Sequence, residues 1–130
     1  MYFRICPILI SLIAFLITPG YAQTIQNVDL FTLRDKDVVS FSLGGQPLPE
    51  LKSIEGDNPR IYIDLHSEQK PDIPETIPGK GRFVHQIRTG FRPADQSFRI
   101  VIDLSPDTDV VADQAYYLSE DKFVITISGP

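Results

Sequence analysis

The chain has 130 residues, one cysteine, and 12 lysines and arginines against 17 acidic residues, which give a formal net charge of −5. An apolar share of 42% is enough for a packed core and excludes global disorder, while a single cysteine excludes a disulfide scaffold. The acidic balance argues against a nucleic-acid partner, which needs a positive field, and 11 prolines with 8 glycines favour short strands joined by turns.

Residues 1–22 are predicted to be a helical secretory signal peptide. Arg4 supplies a positive start, residues 8–17 are apolar, and Gly20 and Ala22 place small residues before a cleavage site. The apolar run is shorter than the about 20 residues that a transmembrane helix needs. Cleavage would leave residues 23–130 as one domain with a net charge of −6 and no stable membrane span. An uncleaved N-terminal anchor is the alternative.

The rest of the chain alternates apolar and polar residues, which is typical of half-buried strands. Strands are predicted at 28–33, 38–43, 51–54, 60–65, 83–89, 98–104, 115–118 and 122–127. The residues expected to point into the core are Val39, Phe41, Leu43, Ile61, Ile63, Leu65, Ile100, Ile102, Leu104, Phe123, Ile125 and Ile127.

One succession of elements occurs twice, starting at Val28 and again at Val84: a hairpin, a short strand and a longer strand. Neither half buries enough apolar surface by itself, so the halves are expected to stack their apolar faces. The prediction is an all-β fold, a small β-sandwich of two sheets built from two pseudo-repeated halves. Residues 67–82, with three prolines and two glycines, are predicted to be a strand-free crossover that takes the chain from one sheet to the other.

Four segments in a fixed order carry a family resemblance. They are Asn-Pro-Arg-Ile-Tyr-Ile-Asp-Leu at 58–65, Ile-Arg-Thr-Gly-Phe at 87–91, Phe-Arg-Ile-Val-Ile-Asp-Leu at 98–104, and the strand at 123–127. This order resembles the AMIN domain family, over roughly residues 25–128. Phe91 departs from the family, which commonly has a polar residue after this glycine.

The AMIN family consists of non-catalytic modules on the N-terminal side of periplasmic N-acetylmuramoyl-L-alanine amidases and of type IV pilus secretins. The resemblance implies a periplasmic, exported protein that binds the peptidoglycan wall and places partners at septa or poles. The alternative is a protein–protein adaptor that docks on a pilus, secretin or other envelope assembly through an exposed strand edge.

Two predicted strands carry an Arg-x-x-x-Asp motif on their outward face, Arg60 with Asp64 and Arg99 with Asp103. In a structural interpretation these are cross-strand charge pairs, worth about 0.2–1 kcal/mol each. In a functional interpretation they contact sugar hydroxyls or the carboxylates of peptide stems, where arginine binds in a bidentate manner. A glycosidase pair is rejected because it needs one carboxyl with a raised pKa, whereas both aspartates share their faces with arginine.

Three further residues complete the candidate ligand-binding set. Tyr62 is predicted to face outward, where its ring could stack on a sugar. Arg88 and Arg92 are grouped with Lys80 and Arg82 as a basic cluster that serves either solubility or an anionic partner. The full set is Arg60, Tyr62, Asp64, Arg88, Arg92, Arg99 and Asp103.

No enzyme activity, cofactor or metal is predicted. His66 and His85 provide too few ligands for a zinc site, because the predicted domain has no cysteine. Of Tyr116 and Tyr117, alternation predicts that one faces the core and one faces solvent. Gly90 is predicted to adopt a positive φ or to mark a bulge.

Overall fold

The computed structural model describes residues 25–130, so the predicted signal peptide and its helix lie outside the described residues. The strands are β1 (Asp29–Thr32), β2 (Lys36–Phe41), β3 (Lys52–Ile54), β4 (Arg60–His66), β5 (Thr76–Pro78), β6 (Val84–Arg92), β7 (Ser97–Leu104), β8 (Val111–Tyr117) and β9 (Lys122–Ser128). A 3-10 turn over Leu118–Glu120 connects the last two strands. Among residues 25–130, no helix has the length and apolar character to cross a bilayer.

The strands form two antiparallel sheets that pack face to face, which confirms the predicted all-β sandwich. The four-stranded sheet has the order β1-β2-β9-β8, and the five-stranded sheet has the order β3-β4-β7-β6-β5. All twelve residues predicted to point inward are buried, with exposed fractions between 0 and 8%. Phe41 and Phe123, which face each other across β2 and β9, have ring centroids 5.4 Å apart.

The two pseudo-repeated halves are interleaved, because each sheet takes strands from both. Strands β1 to β4 correspond to β6 to β9, and this correspondence converts the order β1-β2-β9-β8 into β6-β7-β4-β3. The central pairs, β2 with β9 and β4 with β7, therefore each join one half to the other. Neither half forms a complete sheet by itself.

The prediction that the crossover changes sheets is wrong. Strands β4, β5 and β6 all belong to the five-stranded sheet, and the chain changes sheets at 42–51 and at 105–110 instead. The expectation of a strand-free crossover is also wrong, since Thr76–Pro78 pairs with β6. Proline is tolerated there because an edge strand has one side on which no donor is needed.

Gly90 shows neither of the features predicted for it. Its φ lies outside the positive region, and the irregularity of β6 falls between Val84 and Gln86 instead. Tyr116 and Tyr117 follow the prediction, because Tyr116 packs against the core whereas Tyr117 is 52% exposed.

A buried carboxylate ties the two sheets together at the start of β6. Asp37 of β2 is 1% exposed, and its Oδ2 accepts hydrogen bonds from the backbone N–H groups of Phe83 and Val84, at 3.1 and 2.9 Å. The adjoining segment, residues 79–81, is called the glycine turn below. The Gly79 N–H donates to the His85 carbonyl at 2.9 Å. Gly81 lies against the Asp37 carboxylate, so closely that a Cβ there would overlap it.

Candidate ligand-binding face

All seven residues of the candidate set lie on one surface, the outer face of the five-stranded sheet. Along β4, β7 and β6, alternate residues are buried in the core, so the polar residues between them point outward. Strand pairing places Asp64 opposite Arg99 and Arg60 opposite Asp103. We call this surface the arginine face, defined by Lys52, Arg60, Tyr62, Asp64, Arg88, Arg92, Arg99 and Asp103.

The first ion pair of the arginine face joins the two Arg-x-x-x-Asp motifs. Arg99 donates from Nε and Nη2 to the two carboxylate oxygens of Asp64, at 2.7 and 2.9 Å. This hydrogen bonding is the main cause that lowers the pKa of Asp64, against the opposing effect of partial burial. The Arg99 guanidinium also lies 4.4 Å from the centroid of the Tyr62 ring, and Lys52 lies 5.9 Å from it. A sugar stacked on Tyr62 would therefore compete with cations that already cover the ring.

The second ion pair joins Asp103 to an arginine outside the two Arg-x-x-x-Asp motifs. Asp103 binds Arg88, not Arg60, through Nε at 2.6 Å and Nη2 at 2.9 Å, and it also accepts from Gln86 Nε2 at 2.9 Å. Burial is the largest single influence on the pKa of Asp103 and raises it. The hydrogen bonds from Arg88 and Gln86, with the charges of Arg88 and Arg60, outweigh burial and lower that pKa overall.

The remaining two arginines differ in what they bind. Arg92 pairs with Asp95 at 3.2 Å within the β6–β7 hairpin, and both side chains are more than half exposed. Arg60 donates from Nη1 to the backbone carbonyl of Asn58 at 2.8 Å. Within the described part of the chain, Arg60 is thus the arginine of this face whose guanidinium is not engaged by a carboxylate.

The predicted basic cluster is dispersed rather than compact. Arg88 and Arg92 are four residues apart on β6, about 13 Å along an extended strand. Arg82 lies over the Phe83 ring at 5.2 Å, and Lys80 lines a separate cavity between β1 and β5. Only Arg88 and Arg92 of this group belong to the arginine face.

The arginine face carries an excess of positive charge. Its outward strand positions carry five cations, Lys52 and four arginines, against the two carboxylates of Asp64 and Asp103, and Asp95 of the adjoining hairpin pairs with Arg92. The chain as a whole has a net charge of −5. The local excess of positive charge favours an anionic ligand on this surface.

A cavity of about 710 Å³ lies at one end of the arginine face. Its lining includes Arg60, Arg88, Gln86, His85 and Asn58, which bring several hydrogen-bond donors to one opening. The carboxylates of Asp57 and Asp103 line it as well, and Arg88 and Gln86 already bind Asp103. The sequence does not predict a ligand-binding role for Gln86 or His85. The irregularity between Val84 and Gln86 places both residues at the cavity, and no sequence motif predicts this irregularity. Lys52 could have been found, because alternation in the predicted strand at 51–54 places it on the outward face, where register puts it beside Tyr62.

The Arg99–Asp64 and Arg88–Asp103 ion pairs predict that the stability of the fold decreases in acid. Both aspartates have a folded-state pKa below the ordinary value of 3.8, so their stabilisation is complete above that value and is lost as the pH falls through the folded pKa. We expect Asp103→Asn to lower the free energy of unfolding at pH 7 by about 1 kcal/mol and to flatten its decline below about pH 4. Urea unfolding followed by far-UV circular dichroism measures both effects.

The matched control for this prediction is Asp113→Asn, which removes the carboxyl of an exposed residue on β8. Its pH profile should remain that of the unchanged protein. Equal slopes below pH 4 for Asp103→Asn and for the unchanged protein would contradict the assignment of acid sensitivity to this pair.

The polar groups of the arginine face are arranged for hydrogen bonding. Within residues 25–130, no group of three or more His, Cys, Asp or Glu side chains is placed to hold a metal ion. His66 and His85 lie at opposite ends of the five-stranded sheet, beside Ser97 and Leu104 of β7 respectively.

Comparisons of this chain with protein-family models, curated proteins and solved structures find no match.

Proposed function

We propose that this protein is a non-catalytic, exported module of the cell envelope, similar to AMIN domains, that binds peptidoglycan in the periplasm through its arginine face. It would hold the protein, and whatever it carries, at the wall or the septum. One observation carries this proposal: five cations are gathered on one sheet face of an acidic chain, beside a cavity that Arg60 lines.

The chemistry of the cavity favours the peptide stems of the wall over its sugars. Peptide stems carry free carboxylates, and a guanidinium binds a carboxylate through two parallel hydrogen bonds. Arg60 has further N–H groups beyond the one that binds Asn58, and Gln86 and His85 line the same opening. Arg88 and Arg99 hold carboxylates of this chain, so their contribution to a ligand is mainly through the local field.

The geometry of the two aspartates supports a binding role without catalysis. Asp64 lies opposite Arg99, and Asp103 is four residues further along β7, about 13 Å at the rise of an extended strand. The carboxyl groups of glycosidases are about 5–9.5 Å apart, and one of them has a raised pKa. Here arginines hold both aspartates, and both pKa values are lowered.

Co-sedimentation with purified, insoluble peptidoglycan tests the proposal. We expect the protein to be retained, and we expect Arg60→Ala to weaken retention about tenfold, the loss of one charge-assisted contact. Wall material from which an amidase has removed the peptide stems should retain the protein no better than a neutral control protein does. Retention that survives removal of the stems would overturn the assignment to carboxylates.

Arg34→Ala is the matched control because it removes the same charge from the exposed β1–β2 turn of the other sheet. It should leave retention unchanged. If Arg34→Ala weakens retention as much as Arg60→Ala does, then binding depends on overall charge and not on the arginine face. If the unchanged protein is not retained, the proposed function fails.

A further inference from the structure

The sandwich has four sheet edges, and one of them differs from the other three. The edge strands β3 and β5 have three residues each and β1 has four, whereas β8 has seven. All seven residues of β8 pair with β9, and no other described strand pairs with β8. Natural edges are usually protected by shortness, proline or lysine. The β8 sequence, Val-Ala-Asp-Gln-Ala-Tyr-Tyr, has none of these protections.

An open groove lies at the beginning of this edge, where Ala112 is the β8 residue that lines it. A cavity of about 570 Å³ separates β8 of one sheet from β3 of the other, where the sandwich is not closed. Its apolar lining includes Ile54, Ile61, Leu104, Val110 and Ala112, together with two prolines. Ala112 faces the interior of the sandwich with only a methyl group, which leaves this margin unfilled. A strand added along β8 would direct every second side chain toward the interior side of this edge, and a side chain beside Ala112 would enter the groove.

The charges around the groove are mainly acidic. Glu55 and Asp109 belong to its lining, where Arg60 is the one cation. Asp57 and Asp107 flank the same loops, and Asp113 follows Ala112 on the outer side of β8. A segment that fits here therefore alternates apolar residues, which face the groove, with basic residues, which face outward beside Asp113. The acidic loops at the end of the groove add to the attraction of a basic segment.

A second copy of β8 is a poorer occupant than a basic segment. The strand has one aspartate and no lysine or arginine, so it cannot neutralise the acidic rim of another copy. We propose that the free edge of β8 binds an extended segment of a partner protein, with alternating apolar and basic residues, by β-strand addition. This surface shares Arg60 with the arginine face but lies along a different strand, and the proposal does not depend on wall binding.

The test uses the protein in the form that its cells produce. It is mixed with three synthetic peptides, each of the same length as β8. The first alternates lysine and valine, the second alternates glutamate and valine, and the third has the composition of the first with its lysines and valines in two blocks. We expect the first peptide to bind and to slow amide hydrogen exchange along Val111–Tyr117. The second should not bind, and the third should bind about tenfold more weakly or worse.

Charge reversal shows whether the acidic rim selects the peptide. We expect the double variant Asp109→Lys with Asp113→Lys to bind the lysine peptide about tenfold more weakly and to gain affinity for the glutamate peptide. Asp29→Lys with Asp35→Lys makes the same change in net charge near β1 and should alter neither affinity. Failure of the lysine peptide to bind would overturn the proposal, and so would binding that leaves amide exchange along β8 unchanged. A dimer that sedimentation detects, and that Asp109→Lys with Asp113→Lys dissociates, would also overturn it.

Discussion

Replacing Gly79 by alanine is expected to destabilise the fold by about 3 kcal/mol or more, because the added carbon has no space. A Cβ at this position would overlap the backbone carbonyl oxygen of Val84 and would lie 2.8 Å from that of His85. Backbone atoms cannot rotate away as a side chain can. The change would therefore separate the glycine turn from β6 and strain the Gly79–His85 hydrogen bond. Urea unfolding followed by far-UV circular dichroism gives the loss directly.

Gly90→Ala is the matched control. Gly90 also belongs to the five-stranded sheet, but a Cβ there meets nothing within 4 Å, and its φ is outside the positive region. We expect Gly90→Ala to change stability by less than about 1 kcal/mol, and in the stabilising direction, because alanine restricts the unfolded chain. Equal losses for the two variants would show that close packing at the glycine turn is not the cause.

Asp37→Ala is expected to lower the free energy of unfolding by about 2–5 kcal/mol, since two buried N–H groups lose their acceptor. The Asp37 carboxylate crosses from β2 to the start of β6 and accepts from both Phe83 and Val84. Asp37→Asn keeps one carbonyl oxygen for those donors, so it should lose less stability than the alanine variant. The expected order of stability is therefore unchanged protein, then asparagine, then alanine.

Asp35→Ala provides the comparison, because Asp35 is an exposed residue in the turn that precedes β2. It should change the unfolding free energy by no more than about 0.5 kcal/mol. If Asp37→Ala proves as mild as Asp35→Ala, the carboxylate does not hold the two sheets together at this point.

The core could be predicted from the sequence because alternation determines which face of a strand is buried. Ile61, Ile63, Ile100 and Ile102 all point inward, as their spacing predicts. The same alternation does not specify which strands are neighbours. It therefore could not show that β4 pairs with β7 of the other half, or that the crossover stays within one sheet.

The candidate site could be predicted in part for the same reason. Alternation placed Arg60, Asp64, Arg99 and Asp103 outward, but their partners depend on strand register, which local sequence does not contain. Register puts Arg99 beside Asp64, and the irregular start of β6 brings Arg88 to Asp103. Arg60 is consequently left for another acceptor.

The interleaved topology has a consequence for symmetry. A precursor of half this length would close its sheets only by pairing two identical chains that exchange their last two strands. In a single chain that contains both halves, the outer faces of the two sheets need not have the same residues. At the positions where β4 carries Arg60, Tyr62 and Asp64, β9 carries Lys122, Val124 and Thr126. The outer faces of the two sheets therefore differ in side-chain chemistry although their strands share one arrangement.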